Sequence, residues 1–392
     1  MKNILLMVLL LLFLQGQSQI KPLAGSSNKY SISCNNLFFE VNADDGARIS
    51  SFKLNGDELM YVAFSLTDMA GSTFWPSPQS VWNWPPMANL DNKPYTATVS
   101  ENRMMFTGST DSKYQLRFYK TMVASMADTS IVIEYTIKNE KSTAQTWAPW
   151  EVTRVIAGGL TLFGKGDGSL TGDMASRMEE EGDYVWYDQD ETAGGKGNKI
   201  FCDGKGWLAH VIDGEKLFVK QFEDIANGKA APGEAEVEIY TTSDHVYTEL
   251  EDQGAYASIA AKDSVTWKVK WFARVLPSSV DVSVGSASLT AYIENMLKRS
   301  GDISGTHNLS VAANVKVFPN PATEYLVVES NLKSYDNTLM YLYDLQGQMM
   351  VKQSLETNNQ KVNIRSVANG NYVYLLKQNG KVLSRGKLAI QR

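Results

Sequence analysis

Two cysteines and three histidines in 392 residues, and no apolar run of membrane-spanning length, set the first limits. There is no Cys-x-x-Cys pair, so a thiol-based metal or redox centre has nothing to build on. In an oxidising compartment Cys34 and Cys202 either pair or remain two separate buried thiols. Positive charge is also short, with 37 Lys and Arg against 43 Asp and Glu and a net charge of -6. Nucleic acid and anionic membranes draw much of their affinity from a basic surface, so neither is expected as a partner. A G-x-S-x-G elbow, a Walker loop and an H-E-x-x-H helix are all missing, and no cofactor or metal is read from the residues. What is abundant is aromatic surface: 18 Tyr, 14 Phe and 9 Trp in a chain that is 43% hydrophobic, a composition that folds.

The first residues read as a secretory signal peptide over 1–18. Lys2 supplies the positive start, Ile4 to Leu14 is an apolar run too short to span a bilayer of roughly 30 Å, and Gly16, Gln17 and Ser18 offer a cleavage site. No Cys follows the cut, which argues against a lipid anchor there. After residue 30 short alternating runs separated by Gly, Asn and Asp dominate, and the spacing predicts an all-β chain, a large sandwich over 30–276. Ser286 to Arg299 is the best helix, with Leu289, Tyr292, Ile293, Met296 and Leu297 at helical spacing, inside a 277–314 segment that ends in a small, polar linker. Residues 315–392 hold seven short strand candidates and are expected to form a second, small Ig-like β-sandwich.

Two stretches stand apart. Gly71 to Tyr95 packs three of the nine tryptophans and five of the eleven prolines into 25 residues. Such a segment is expected to be neither regular strand nor helix but a rigid aromatic lining over a cleft. Residues 164–197 carry eight glycines and an acidic run from Glu179 to Glu191, read as a solvated excursion from the sheet with no recognised metal-ligand spacing.

Four short motifs then appear in order near the C-terminus: Phe318 to Ala322 (FPNPA), Leu342 to Leu345 (LYDL) with Gly347, Gly370 to Tyr374 (GNYVY), and Lys387 with Leu388. They resemble the type A sorting domain of the type IX secretion system of Bacteroidetes. That resemblance implies export across the outer membrane, interaction of residues 315–392 with the secretion machinery, and a final location in the medium or on the cell surface. Gly46 to Ile49, Gly71 to Trp75 with Ser77 to Gln79, Trp82 to Pro86, Trp150 to Arg154 and Tyr247 to Glu251 resemble an uncharacterised family, domain of unknown function 4380, grouped with galactose-mutarotase-like β-sandwiches. The implied ligand is a carbohydrate on a broad sheet face; an aldose mutarotase or epimerase activity, or a purely adhesive role, are the alternatives.

Sugars stack their C–H faces on indoles and offer hydroxyls to amides, carboxylates and Arg, so Trp75, Gln79, Trp82 and Trp84 are candidate contacts. Period two places Trp150, Val152 and Arg154 on one face of a strand, and Lys220 on a face with Phe218 and Phe222; Trp150, Arg154 and Lys220 join the list of substrate-binding candidates. On the strand from His245, the same period aligns His245, Tyr247, Glu249 and Glu251. An acid and a base are what sugar-ring opening requires, which nominates Glu249 as base, His245 or His210 as acid, and Glu251 as a further contact.

Overall fold

The computed structural model describes residues 19–22, 28–62, 69–100, 103–189, 198–242, 246–300, 315–330, 332, 334–344, 349–378 and 381–392. The signal peptide, the linker after residue 300, His245 and the glycine-rich end of the acidic excursion lie outside them. The chain forms two compact units, Met1–Asn308 and Leu309–Arg392.

The first unit is a sandwich of an 11-stranded and a 10-stranded sheet. The first sheet runs Gln19–Pro22, Lys29–Cys34, Leu37–Asn42, Arg48–Leu54, Ser72–Ser77, Gln145–Ile156, Tyr247–Gln253, Val237–Thr241, Asn198–Cys202. In the second, Trp207–Ile212, Lys216–Phe222, Ser264–Val275, Ser130–Asn139 and Leu116–Ser125 lie side by side at the centre. Their sequences explain their place: Leu116–Ser125 and Ser130–Asn139 alternate buried and half-exposed positions, one face for the core and one for water. Aromatic rings close the space between the sheets. Phe39 and Phe52 of the first meet Trp271 of the second edge to face at 5.7 and 5.3 Å, and Phe74 stacks on Tyr135 at 4.1 Å.

The far side of the second sheet is covered by the helix Ala287–Ser300, whose Leu289, Ile293 and Leu297 bury against Leu160, Leu162, Trp186 and Trp207. Ser286 starts it: its Oγ accepts the Leu289 N–H at 3.2 Å, satisfying one of the free donors of the first turn.

Two expectations change. Part of Gly71 to Tyr95 is an ordinary strand after all, since Ser72–Ser77 is wholly buried mid-sheet. Proline is tolerated there because Pro76 lies opposite Pro149. Arg154 donates its N–H to Gly71 O at 3.0 Å. Alternation along the ladder therefore puts positions 150 and 75 in the bonded set, and 149 and 76 where neither N–H faces the partner strand. The acidic excursion also holds structure: Glu179–Glu181 and Tyr184–Asp188 pair as a hairpin at the edge of the second sheet.

The second unit is a seven-stranded sandwich. Lys316–Phe318, Tyr325–Glu329 and Asn359–Asn363 form one sheet; Met349–Ser354, Thr338–Tyr343, Gly370–Gln378 and Lys381–Ile390 form the other. Its own core includes Leu326, Val328, Met340, Leu342 and Leu376. No described helix is long and apolar enough to cross a membrane.

Candidate functional site

The outer face of the first sheet can be written out from the strand register. One row across it holds Arg154, Glu249, Tyr240 and Lys199; the next holds Thr73, Val152, Glu251, Glu238 and Phe201; a third holds Trp75, Trp150 and Gln253. Charges and rings alternate in this lattice because every second residue of each strand points the same way.

Both cations of the lattice are caged. Arg154, fully buried, reaches Glu249 Oε1 at 2.8 Å and Thr73 Oγ1 at 3.3 Å, with its guanidinium 5.5 Å from the Trp75 ring and 5.9 Å from that of Tyr247. Lys199 binds Glu251 at 2.9 Å and also Glu238, and lies 4.9 Å from the Trp150 ring. Trp150 Nε1 donates to the same Glu251 oxygen at 2.8 Å, and Gln253 Nε2 donates to Glu238 at 2.8 Å. Ring faces and carboxylates together replace the water these cations lose. Burial works against the Lys199 charge, yet Glu251 and Glu238 outweigh it and raise its pKa. Burial raises Glu249 above the ordinary glutamate value, with Arg154 pulling the other way, and raises Glu238 well above it against Lys199.

Trp75 in this lattice is joined by two further indoles from the proline-rich stretch, Trp82 and Trp84. Trp75 is the hub, 5.3 Å from Trp150, 6.1 Å from Trp82 and 6.0 Å from Trp84, all edge to face. Its own N–H is spent on Asp91 Oδ1 at 2.7 Å, and that of Trp82 on Pro76 O at 2.7 Å. The turn at Gly46 presses against Asp91. With φ +61° and a hypothetical Cβ only 1.7 Å from Asp91 O, no other residue fits there. The indoles thus run from solvent, where Trp84 is 58% exposed, into the core, where Trp150 is 2% exposed.

Accessibility then sorts the predicted contacts. Glu249 (13% of its side chain) and Lys199 (22%) reach the surface, as do half-buried Gln79, Tyr240 and Tyr247 and exposed Trp84. Trp75, Trp82, Trp150, Arg154 and Glu251 are on this face but buried, so they floor and brace the more open groups instead of presenting a surface of their own. Gln79 is tethered to the rim, its backbone N–H held by Glu234 Oε1 at 2.9 Å.

Lys220 and His210 are withdrawn. Lys220 lies between the sheets, fully buried, held by Glu151 at 3.0 Å, by Asp252 and by Leu250 O. His210 is on the same inner side of the second sheet, with Nδ1 2.9 Å from Thr161 Oγ1, and burial lowers its pKa to about 4. A neutral imidazole sealed in the core cannot protonate a sugar oxygen at pH 7. The groups that sequence reasoning passes over are Lys199, Glu238, Tyr240 and Gln253. Their signal is the same period of two, in K-I-F, in E-I-Y, and in the continuation of the Glu249 and Glu251 row to Gln253.

Cys34 and Cys202 are both free and buried. Among the described residues no group of His, Cys, Asp and Glu could hold a metal ion. A separate cavity of about 490 Å³ opens between Gly164 to Asp167, the turn at Gly182, Lys205, Trp207 and Glu294; none of the predicted site residues lines it.

Residues 316–391 match the family model described as the secretion system C-terminal sorting domain. No curated protein matches the chain. Among solved structures, the Slr1438 protein from Synechocystis sp. PCC 6803 is 12% identical with a TM-score of 0.47, over 64% of this chain and 97% of that one. A galactose mutarotase-like protein from Lactobacillus casei ATCC 334 is 10% identical with a TM-score of 0.46, over 63% and 100%. A galactose mutarotase related enzyme from Lactobacillus acidophilus is 9% identical with a TM-score of 0.44, over 65% and 100%. No residue role is taken from these likenesses. The sorting-domain match is different in kind, because the motifs at Phe318, Leu342, Gly370 and Lys387 fall inside it: the C-terminal unit is a sorting domain of type IX secretion, and the chain is exported to the cell surface or the extracellular space.

Proposed function

We propose that the outer face of the first sheet binds carbohydrate outside the cell. The observation that carries this reading is the pairing of Glu249 and Lys199, open at the surface and held by buried partners, with an indole floor that ends in the exposed ring of Trp84. Hydroxyls find an acceptor and a donor fixed in place, and a sugar's apolar face finds an aromatic one. Because Arg154, Trp150 and Trp75 hold these groups before any ligand arrives, little ordering cost is left for binding.

Binding rather than isomerisation is the better reading. Ring opening needs an acid beside Glu249, and the histidine nominated within the described residues, His210, is buried between the sheets. The test is retention of the full mature chain on a glycan array, with Glu249→Gln alongside. The variant keeps the shape of the side chain but leaves the buried Arg154 guanidinium without its carboxylate, so retention is compared at a temperature where unfolding curves show both proteins folded, and there it should fall at least about tenfold, the size of one lost charge-assisted hydrogen bond. Unchanged retention would remove Glu249 from the site, and catalysed mutarotation lost in the variant would restore the enzyme reading.

A further inference from the structure

The five strands that carry the proposed site, Ser72–Ser77, Gln145–Ile156, Asn198–Cys202, Val237–Thr241 and Tyr247–Gln253, contain only two basic residues, Arg154 and Lys199. Both are already paired with carboxylates. Arg154 is at 2.8 Å from Glu249, and Lys199 is shared between Glu251 and Glu238. Three glutamates therefore face two cations on this surface. Cation-binding ring faces are spent in the same way, with Trp75 and Tyr247 on Arg154, and Trp150 and Phe201 on Lys199.

Resting on the carbohydrate reading above, we infer that the ligand of this face is a glycan without acidic groups: uronic acids, sulfated sugars and sugar phosphates are excluded. An acidic sugar needs a cation to replace the water around its charge, and on the described strands both cations are already neutralised by three glutamates, so its charge adds to a face that is already net negative. It would also bring its charge up to Glu249, the most open carboxylate of the lattice, and like charges at contact repel strongly. A neutral sugar meets no such conflict. Its hydroxyls donate to Glu249 and accept from Lys199 while both ion pairs stay closed. The selection against acidic glycans is thus built from the partners of the two cations rather than from the shape of a pocket.

The experiment is a glycan array, read with the full mature chain, of oligosaccharides in pairs differing by one acidic group. Suitable pairs are methyl-esterified and free galacturonan oligomers, xylan oligomers without and with a glucuronate branch, and N-acetyllactosamine with its 6-sulfate. The expected result is that within every retained pair the acidic member is held at least about tenfold more weakly. An acidic member held as well as its neutral twin, in any retained pair, overturns the inference while leaving carbohydrate binding intact. Retention of no sugar of either kind overturns the carbohydrate reading itself, and this inference with it. The two failures are therefore told apart in one measurement.

Discussion

Two ion networks stand back to back on the same pair of strands. On the outer face Arg154 holds Glu249; three residues along each strand, on the inner face, Glu151 and Asp252 hold Lys220, which reaches across from the other sheet. Lys220, Glu151 and Asp252 are all sealed from solvent, with Tyr135 and Trp271 adding hydrogen bonds to Glu151, whereas Glu249 and Lys199 are left ajar. The chemistry is nearly the same and the exposure is not. In the sealed network burial raises Asp252 well above the ordinary carboxylate value, although Lys220 opposes it. A network with no opening can only hold the two sheets in register, while one with an opening can also hold something else.

The largest expected effect comes from breaking the sealed side. Lys220→Ala leaves Glu151 and Asp252 facing each other in the core, and loss of one partner of a buried ion pair costs about 3–5 kcal/mol. Denaturant unfolding should show that loss, and glycan retention at low temperature should fall only by the fraction unfolded. A cost under about 1 kcal/mol would mean that water already reaches the network and that the contrast between the faces is false. Trp75→Ala follows at a similar size, about 3–5 kcal/mol for a large buried aromatic, since it removes the hub that touches Trp82, Trp84, Trp150 and Arg154. Loss of retention with no fall in melting temperature would return Trp75 to the role of a direct contact.

This contrast also shows what the sequence can and cannot carry. Strand alternation, turn residues and the Leu289 to Leu297 pattern suffice for the all-β architecture, the helix and the small C-terminal sandwich, because each is a local signal. Period two correctly groups Arg154 with Trp150 and Lys220 with Phe218, but it does not say whether a given face meets water or the other sheet. Gln145–Ile156 is buried on both faces, so the change of polarity that would have oriented it is missing. Ser72–Ser77 hides as a strand because Pro76 reads as punctuation, and only the register that sets it opposite Pro149 makes it harmless. The cage around Arg154 draws on strands as far apart in the chain as Ser72–Ser77 and Tyr247–Gln253, and no spacing along the chain announces it.

Glu236 tests whether face or burial decides the behaviour of a carboxyl. It precedes the strand Val237–Thr241, two residues before Glu238, and is sealed like Glu238 but has no cation bound to it among the described residues, with Oε1 accepting the Gly206 N–H at 2.9 Å. Burial pushes its pKa up to about 8, with the Gly206 hydrogen bond acting against the shift. The folded chain thus binds this proton more tightly than the unfolded chain. The stabilising contribution is complete below the ordinary glutamate value and is lost as pH rises from there through about 8. Glu236→Gln removes the titration, so its unfolding free energy should fall less than that of the wild type between pH 5 and 8, by on the order of 1 kcal/mol or more. Parallel pH profiles for the two proteins would show that the group stays ionised in the fold.

The smallest effect on the fold, and the sharpest test of the open face, comes from Trp84→Ala. Trp84 is 58% exposed and meets the buried lattice at Trp75, with ring centres 6.0 Å apart, so its removal should change unfolding free energy by no more than about 0.5 kcal/mol. A sugar stacked on it would lose about 0.5–1.5 kcal/mol of aromatic contact, a two- to tenfold weaker affinity by titration calorimetry against the best array ligand. Lys220→Ala should show the reverse pattern, a large loss of stability with the folded fraction binding normally. If Trp84→Ala binds as tightly as the wild type, the indole chain ends inside the protein, and the ligand is held by Glu249 and Lys199 without an aromatic wall.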